Sequence, residues 1–515
     1  MALAARCRTV WAASCLLLCP LPAAAALTST AFDRGAILAA ARALPARGEL
    51  RLAAVPWAVD GASGSVSLRL ERFEVFAPDA RIVLHTGGAD RLLPVPANVY
   101  LRGRVEDDPQ SRVVLSVLET GEIRGLATSR GRTWSIGSAV AGGLLEVREV
   151  DSALDLAEAG GGFRCDLDDL GTEAFRADGG DSDLDLGALL DVTAPALATD
   201  ATDAPFIFDH TAVIAIETDN EFLNLAAFGS DPAPAVNYIA DLIAYSSTIY
   251  VDELQTAWSL GYISLWGPGA ADPWVQTSPS CGLIDFGRYW NNNRSSVTRT
   301  ITHFLSGKST NAGIAWIGVL CSGAFSIDAA QVATGCSPPL TGTSNWGGGY
   351  GYTSGIDGNF NINSPSVVWD IQAFTHEIGH NFNSPHTHCY QNVGGNAAPV
   401  DKCYAGQCGT ANCFCATAGD PAALPAGCPN GTSGCGTIMS YCHLPPWSSA
   451  NISLTLGLGH PYGVMPERVP NRMRSHVVST AAGNPSCLAL RQPLVVLFAD
   501  GFHSHNTSAW SATVP

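Results

Sequence analysis

The stretch 364–386, SPSVVWDIQAFTHEIGHNFNSPH, constrains this 515-residue chain more than any other part of it. Apolar residues fall at Val368, Ile371, Phe374, Ile378 and Phe382, three or four apart, which predicts an amphipathic helix over 367–382. Ser364-Pro365 supplies an N-cap and a first-turn proline, and Asn383 followed by Pro385 stops the helix. His376 and His380 then stand at i and i+4. One helical face presents two imidazoles a turn apart, as two adjacent positions of a tetrahedral metal require, with Glu377 beside them. For His386 to join them the chain must leave the helix sharply, and Asn383 tolerates left-handed backbone next best after glycine. Three neutral histidines leave a fourth position for water, the arrangement of a catalytic zinc. His388 is a competing third ligand.

HEIGHNFNSPH resembles the metzincin consensus HExxHxxGxxH, with Asn383 in the place of the glycine. The words HEIGHNF and SPH are similar to the adamalysin (reprolysin, ADAM-like) branch and its secreted bacterial relatives. Downstream, Cys435-Gly436-Thr437-Ile438-Met439-Ser440-Tyr441 resembles the Met-turn that lies beneath the metal in that family. The resemblance spans about 206–487 and, more loosely, the N-terminal part, where YLRGRV at 100–105 is similar to an adamalysin propeptide. It implies one catalytic Zn2+ held by His376, His380 and His386, with Glu377 as general base and then acid, and Met439 shaping the floor. Tyr441, two places after the methionine, resembles astacins and serralysins, where that phenol approaches the metal and can donate to a developing oxyanion. That branch is therefore an alternative. The implied activity is hydrolysis of peptide bonds in proteins, with the substrate added as an extended strand along a sheet edge. The edge expected is 347–355, GGGYGYTSG. A catalytically silent adhesion or toxin-like binding protein on the same fold is the reading from another class.

The first 26 residues read as an export signal: Arg6 and Arg8, an apolar run over 10–18, then Ala23 to Ala26 for cleavage. No later apolar stretch reaches the roughly 20 residues that span a bilayer, so a secreted protein without a membrane segment is expected. A net charge of −18 speaks against a nucleic-acid partner, because phosphate binding needs clustered Lys and Arg. Of 16 cysteines, Cys7, Cys15 and Cys19 lie in the signal, twelve lie between Cys281 and Cys487, and Cys165 stands alone. Export then predicts up to six disulfides in the second half and one thiol left over. A propeptide thiol can occupy the open zinc position as thiolate, so Cys165 reads as a cysteine switch through which the propeptide inhibits in cis.

Alternating runs over 50–150 predict a β-rich domain. The segment 166–187 holds eight acidic residues and one arginine and reads as a linker that continues to 204. From 206 onward strands over 211–218, 259–266 and 313–320 alternate with a helix over 235–250. The expected organisation is a signal peptide (1–26), a propeptide made of the β-rich domain and the acidic linker (27–204), a catalytic domain (205–487) and a tail (488–515). The expected catalytic domain is α/β (α+β), a twisted mixed sheet with a zinc-binding active-site helix. Calcium as a second, structural ion is left open. SGKS at 306–309 is discounted as a phosphate loop because Thr302 replaces the first glycine. Cys413-Phe414-Cys415 is assigned to disulfides rather than to a second zinc.

Overall fold

Period-two patterning in the N-terminal third becomes a sheet with its own core. The computed structural model describes residues 28–59, 62–137, 145–150, 164–165, 206, 208–333, 335–360, 367–431 and 434–490. The expected signal peptide and acidic linker, Ser364-Pro365 and the chain beyond 490 lie outside these. After β1 (Thr28–Ala31), Asp33 caps α1 (Arg34–Ala43) by accepting from the Ala36 N–H. The strands that follow are β2 (Glu49–Val59), β3 (Ala62–Phe73), β4 (Phe76–His85), β5 (Arg91–Leu93), β6 (Val99–Val105), β7 (Asp108–Val117), β8 (Ile123–Ser129), β9 (Arg132–Gly137) and β10 (Glu146–Glu149). Eight of them form a sheet in the order β1-β2-β3-β6-β7-β8-β9-β10. Leu50, Leu52, Leu68, Leu70, Leu101, Val113 and Leu115 from one of its faces pack with Ile37 and Ala41 of α1.

The missing pair, β4 and β5, belongs to the other half of the molecule. The second sheet runs β11-β15-β18-β14-β12-β13-β4-β5, from β11 (Arg164–Cys165), β12 (His210–Thr218), β13 (Thr256–Trp266), β14 (Ile301–Ser306), β15 (Ala312–Ala315) and β18 (Tyr350–Ser354). β4 pairs parallel with β13, Ile82 facing Ile263 and His85 facing Trp266. Residues 76–93 of the N-terminal region thus continue the C-terminal sheet. β16 (Phe325–Asp328) and β17 (Thr343–Gly347) make a separate antiparallel ribbon. β19 (Leu488–Leu490), at the start of the expected tail, pairs antiparallel with β12.

Helices fill the connections: α2 (Asn220–Leu223), α3 (Pro232–Leu254), α4 (Pro279–Asn293), α5 (Ala329–Val332), α6 (Val367–Asn381) and α7 (Arg468–Gly483). Asp231 caps α3 ahead of Pro232, and Ser278 caps α4 ahead of Pro279. α6 is the helix expected at 367–382. Its Ile371, Phe374 and Ile378, and Phe382 directly after it, are buried in the larger core. Phe382 meets Tyr250 edge-on at 4.9 Å between centroids, and Phe374 meets Trp258 at 6.1 Å. Each such buried side chain stabilises the position of α6 by about 1.5–3 kcal/mol. Among the described residues no helix is long and apolar enough to cross a membrane.

Two expectations about strands need correction. The segment 347–355 is not an edge: β18 lies inside the sheet, parallel to β14 and antiparallel to β15. Tyr350 and Tyr352 are each 1% exposed, so its small residues serve close packing. The strand expected over 313–320 ends at Ala315. Beyond it the N–H groups of Gly318 and Val319 turn to the carbonyls of His380 and Asn381, tying the loop to the end of α6.

Candidate metal centre

On α6, His376 and His380 point to one side as their spacing requires, with ring centroids 4.8 Å apart. The helix ends as its sequence suggests. Asn383 is left-handed at φ 75°, and its N–H closes on the His380 carbonyl at 2.8 Å. On α7, Arg472 donates from Nε to the Asn383 carbonyl (2.7 Å) and from Nη2 to its Oδ1 (3.2 Å). An asparagine here supplies both the left-handed backbone and a side chain that α7 reads. The turn delivers His386, whose ring centroid is 4.8 Å from that of His380 and 5.1 Å from that of His376.

Each of the three rings is held through Nδ1. His376 donates to the Ile438 carbonyl (2.7 Å), His380 to the Ser384 carbonyl (2.7 Å) and His386 to Gln407 Oε1 (2.9 Å). An oxygen can only accept, so each ring carries its proton on Nδ1 and keeps a lone pair on Nε2. All three are fully buried. Burial, the largest influence on each, pushes His376 and His380 well below the usual imidazole range and His386 down to about 4, so the rings are neutral as ligands must be.

β11 brings Cys165 from the other side. It pairs parallel with β15, Cys165 opposite Gly313. The Cys165 thiol lies 3.5 Å from His380 Nε2 and donates to Glu377 Oε2 at 3.7 Å. One ligand atom from each of Cys165, His376, His380 and His386 falls within 4.8 Å of the others. Three imidazole nitrogens and one thiol are a donor set that suits zinc in kind and number. A second group, Asp401, Cys403 and Cys442, spends its two thiols on one disulfide. Two glycines make room at the centre. A Cβ on Gly313 would stand 2.5 Å from Glu377 Oε1, and one on Gly379 would stand 2.4 Å from Met439 Sδ.

Met439 is therefore against the underside of α6, and Tyr441 is fully buried two residues on. The Tyr441 ring lies 4.4 Å from that of His386. Its oxygen accepts from the Cys165 N–H (3.1 Å) and donates to the Cys165 carbonyl (3.2 Å). All the site residues singled out from sequence thus meet in one place. His388 lies outside the group of four. It stacks on His386 at 5.3 Å and turns Nε2 to Gln407 Oε1 at 2.7 Å. Sequence reasoning missed Gln407, whose loop carries no spacing signal that points at the histidines.

Six disulfides join Cys281–Cys336, Cys321–Cys487, Cys389–Cys413, Cys403–Cys442, Cys408–Cys415 and Cys428–Cys435, with Cys165 outside them. The expectation of up to six disulfides in the second half, with the Cys165 thiol left over, agrees with this pairing.

Residues 209–451 match Reprolysin_5, Metallo-peptidase family M12. The match contains every residue of the centre except Cys165, which precedes it. A match to this family supports a metalloprotease, and hence protein substrates and a metal. Among solved structures, the crystal structure of metalloproteinase-II from Bacteroides fragilis is 8% identical, covers 72% of this chain and 91% of that chain, and has a TM-score of 0.35. The structure of a chaperone-substrate complex is 10% identical, covers 71% and 55%, and has a TM-score of 0.22. No curated protein matches the chain.

Proposed function

We propose that this chain is an exported, zinc-dependent endopeptidase of the metzincin type, adamalysin-like, made as a zymogen. The observation that carries the reading is the convergence of three buried imidazoles and the Cys165 thiol within 4.8 Å, with the Glu377 carboxylate beside them. His376, His380 and His386 would hold the ion through Nε2. When bound, zinc supplies Lewis acidity, lowering the pKa of a coordinated water and polarising the scissile carbonyl. Glu377 accepts the proton of the attacking water and returns it to the leaving amine, general base first and general acid second. Tyr441 presents its O–H to the developing oxyanion, from the position where it now meets the Cys165 backbone. Met439 supports the ligand helix from below without chemistry.

We assign substrate addition to β15, the strand on which β11 lies. In the precursor the Cys165 segment occupies that edge, its thiol would be the fourth ligand beside the three histidines, and its backbone engages the Tyr441 phenol. The propeptide thereby blocks the ion, the base and the edge together. Export through the signal at 1–26 fits the cross-linking of the second half.

The test is metal analysis with casein cleavage on the processed protein, with and without chelator, beside Glu377→Gln. We expect zinc at one per chain, chelator-sensitive cleavage, and a loss of about 10²-fold or more in the variant with zinc retained. Bound zinc without chelator-sensitive cleavage would overturn the enzyme reading and leave a binding protein.

A further inference from the structure

The third histidine of the centre is oriented by a side chain from a distant loop. His376 and His380 lean on backbone carbonyls, of Ile438 just before Met439 and of Ser384 four residues on. His386 instead leans on Gln407, 21 residues downstream and 3% exposed. Gln407 Oε1 stands 2.9 Å from His386 Nδ1 and 2.7 Å from His388 Nε2. Both lone pairs of one amide oxygen are thus spent on two neighbouring imidazoles.

That geometry fixes two tautomers at once. With the carbonyl oxygen facing them, His386 is protonated on Nδ1 and keeps its lone pair on Nε2, toward His376 and His380. His388 is protonated on Nε2, so the nitrogen turned toward Gln407 is a donor and cannot bind a metal. Were the amide reversed, its N–H groups would demand lone pairs from the same two nitrogens. His386 would then carry its proton on Nε2 and lose its capacity as a ligand.

The loop that carries Gln407 is built to hold it still. Cys403–Cys442 ties its start to the residue after Tyr441, and Cys389–Cys413 ties its end to the residue after His388. Cys408–Cys415 closes a small ring directly after Gln407. The Phe414 N–H bonds to the His388 carbonyl at 2.8 Å, and Trp447 Nε1 donates to the Cys403 carbonyl at 2.8 Å. Three disulfides and these bonds therefore converge on one buried amide.

We propose that Gln407 is a positioning residue of the metal centre: it selects the ligand tautomer of His386 while it holds the neighbouring His388 through Nε2, and the cross-linked loop 403–415 presents it. The proposal rests on the zinc reading above.

The test uses the full-length chain with its disulfides formed. Zinc affinity is measured by competition with a chromogenic chelator, and ligand geometry by the visible absorption of the cobalt-substituted protein. Gln407→Met keeps the bulk and loses the acceptor oxygen, whereas Gln407→Glu keeps an acceptor for both rings. We expect Gln407→Met to bind zinc about 10- to 100-fold more weakly and to shift the cobalt bands, and Gln407→Glu to bind at least as tightly as the unaltered chain. Affinity of Gln407→Met within about threefold of the unaltered chain, with unchanged cobalt bands, overturns the proposal. Should Gln407→Met fail to form its disulfides, Gln407→Glu decides alone: equal or tighter binding supports the positioning role, and weaker binding overturns it. If the unaltered chain binds no zinc, the zinc reading itself has failed, which is a separate result.

Discussion

Cys165 sits at the meeting point of every group proposed to act. Its thiol is 3.5 Å from His380 and bonds to Glu377, and its backbone N–H and carbonyl both engage Tyr441. The thiol and the main chain are therefore separable contributions to the proposed inhibition. Cys165→Ala removes the first and leaves β11 paired with β15, so the precursor is expected to show basal proteolysis above that of the unaltered precursor and below that of the processed protein. Casein cleavage by the two precursors checks this, and equal rates would remove the switch. Gly313, opposite this residue, and Gly379 of the ligand helix act by what they lack. At Gly313 even one methyl group would collide with Glu377, and at Gly379 with Met439.

At the scale of the element, α6 depends on how it ends. The left-handed Asn383 turns the chain so that Ser384 and His386 return to the metal face, and Arg472 of α7 bonds to both its carbonyl and its side chain. Asn383→Ala forces an ordinary residue into left-handed backbone and removes the side-chain contact, so a loss of about 1–2 kcal/mol is expected. Asn383→Gly keeps the backbone freedom and loses only the Arg472 contact to Oδ1, so its loss should stay below about 1 kcal/mol. Chemical denaturation of both variants measures the difference. An alanine variant as stable as the glycine variant would show that the turn is not governed by its left-handed conformation.

Over the whole molecule the N-terminal region is wired into the rest by buried charge as well as by strand pairing. Arg112 of β7 reaches Asp252 Oδ2 and Glu253 Oε1 at 2.7 Å each and donates to the Leu454 carbonyl at 2.9 Å. Arg104 of β6 also pairs with Asp252, and Arg124 of β8 pairs with Asp241 at 2.7 Å. These three carboxylates all lie on α3, and Glu253 is fully buried on its side chain. Removing one partner strands charge away from water, so Arg112→Met is expected to destabilise the full-length chain by about 3 kcal/mol. Arg132 and Glu149 form a pair at 3.1 Å that is about a third exposed. Arg132→Met should change stability by less than about 1 kcal/mol. Thermal unfolding of the two variants side by side distinguishes the cases, and equal melting temperatures would sink the claim that the buried network joins the halves.

The sequence by itself determined what depends on neighbours along the chain or on counting. The apolar stripe, the i and i+4 histidines, the stop at Asn383 and the count and placement of the cysteines that set Cys165 apart all belong to that kind, because they follow from local spacing, position and number. Tertiary structure decided which strand is the edge, for the burial of Tyr350 and Tyr352 is a property of register between β14, β15 and β18 that no single strand encodes. It decided that β4, with β5, leaves the N-terminal sheet to pair with β13. It also decided that Gln407 stands behind His386 and that Cys165 lies against His380 across 215 residues. Such meetings depend on how distant segments close over one core, and periodicity, which reports only the next few turns or strands, carries no record of them.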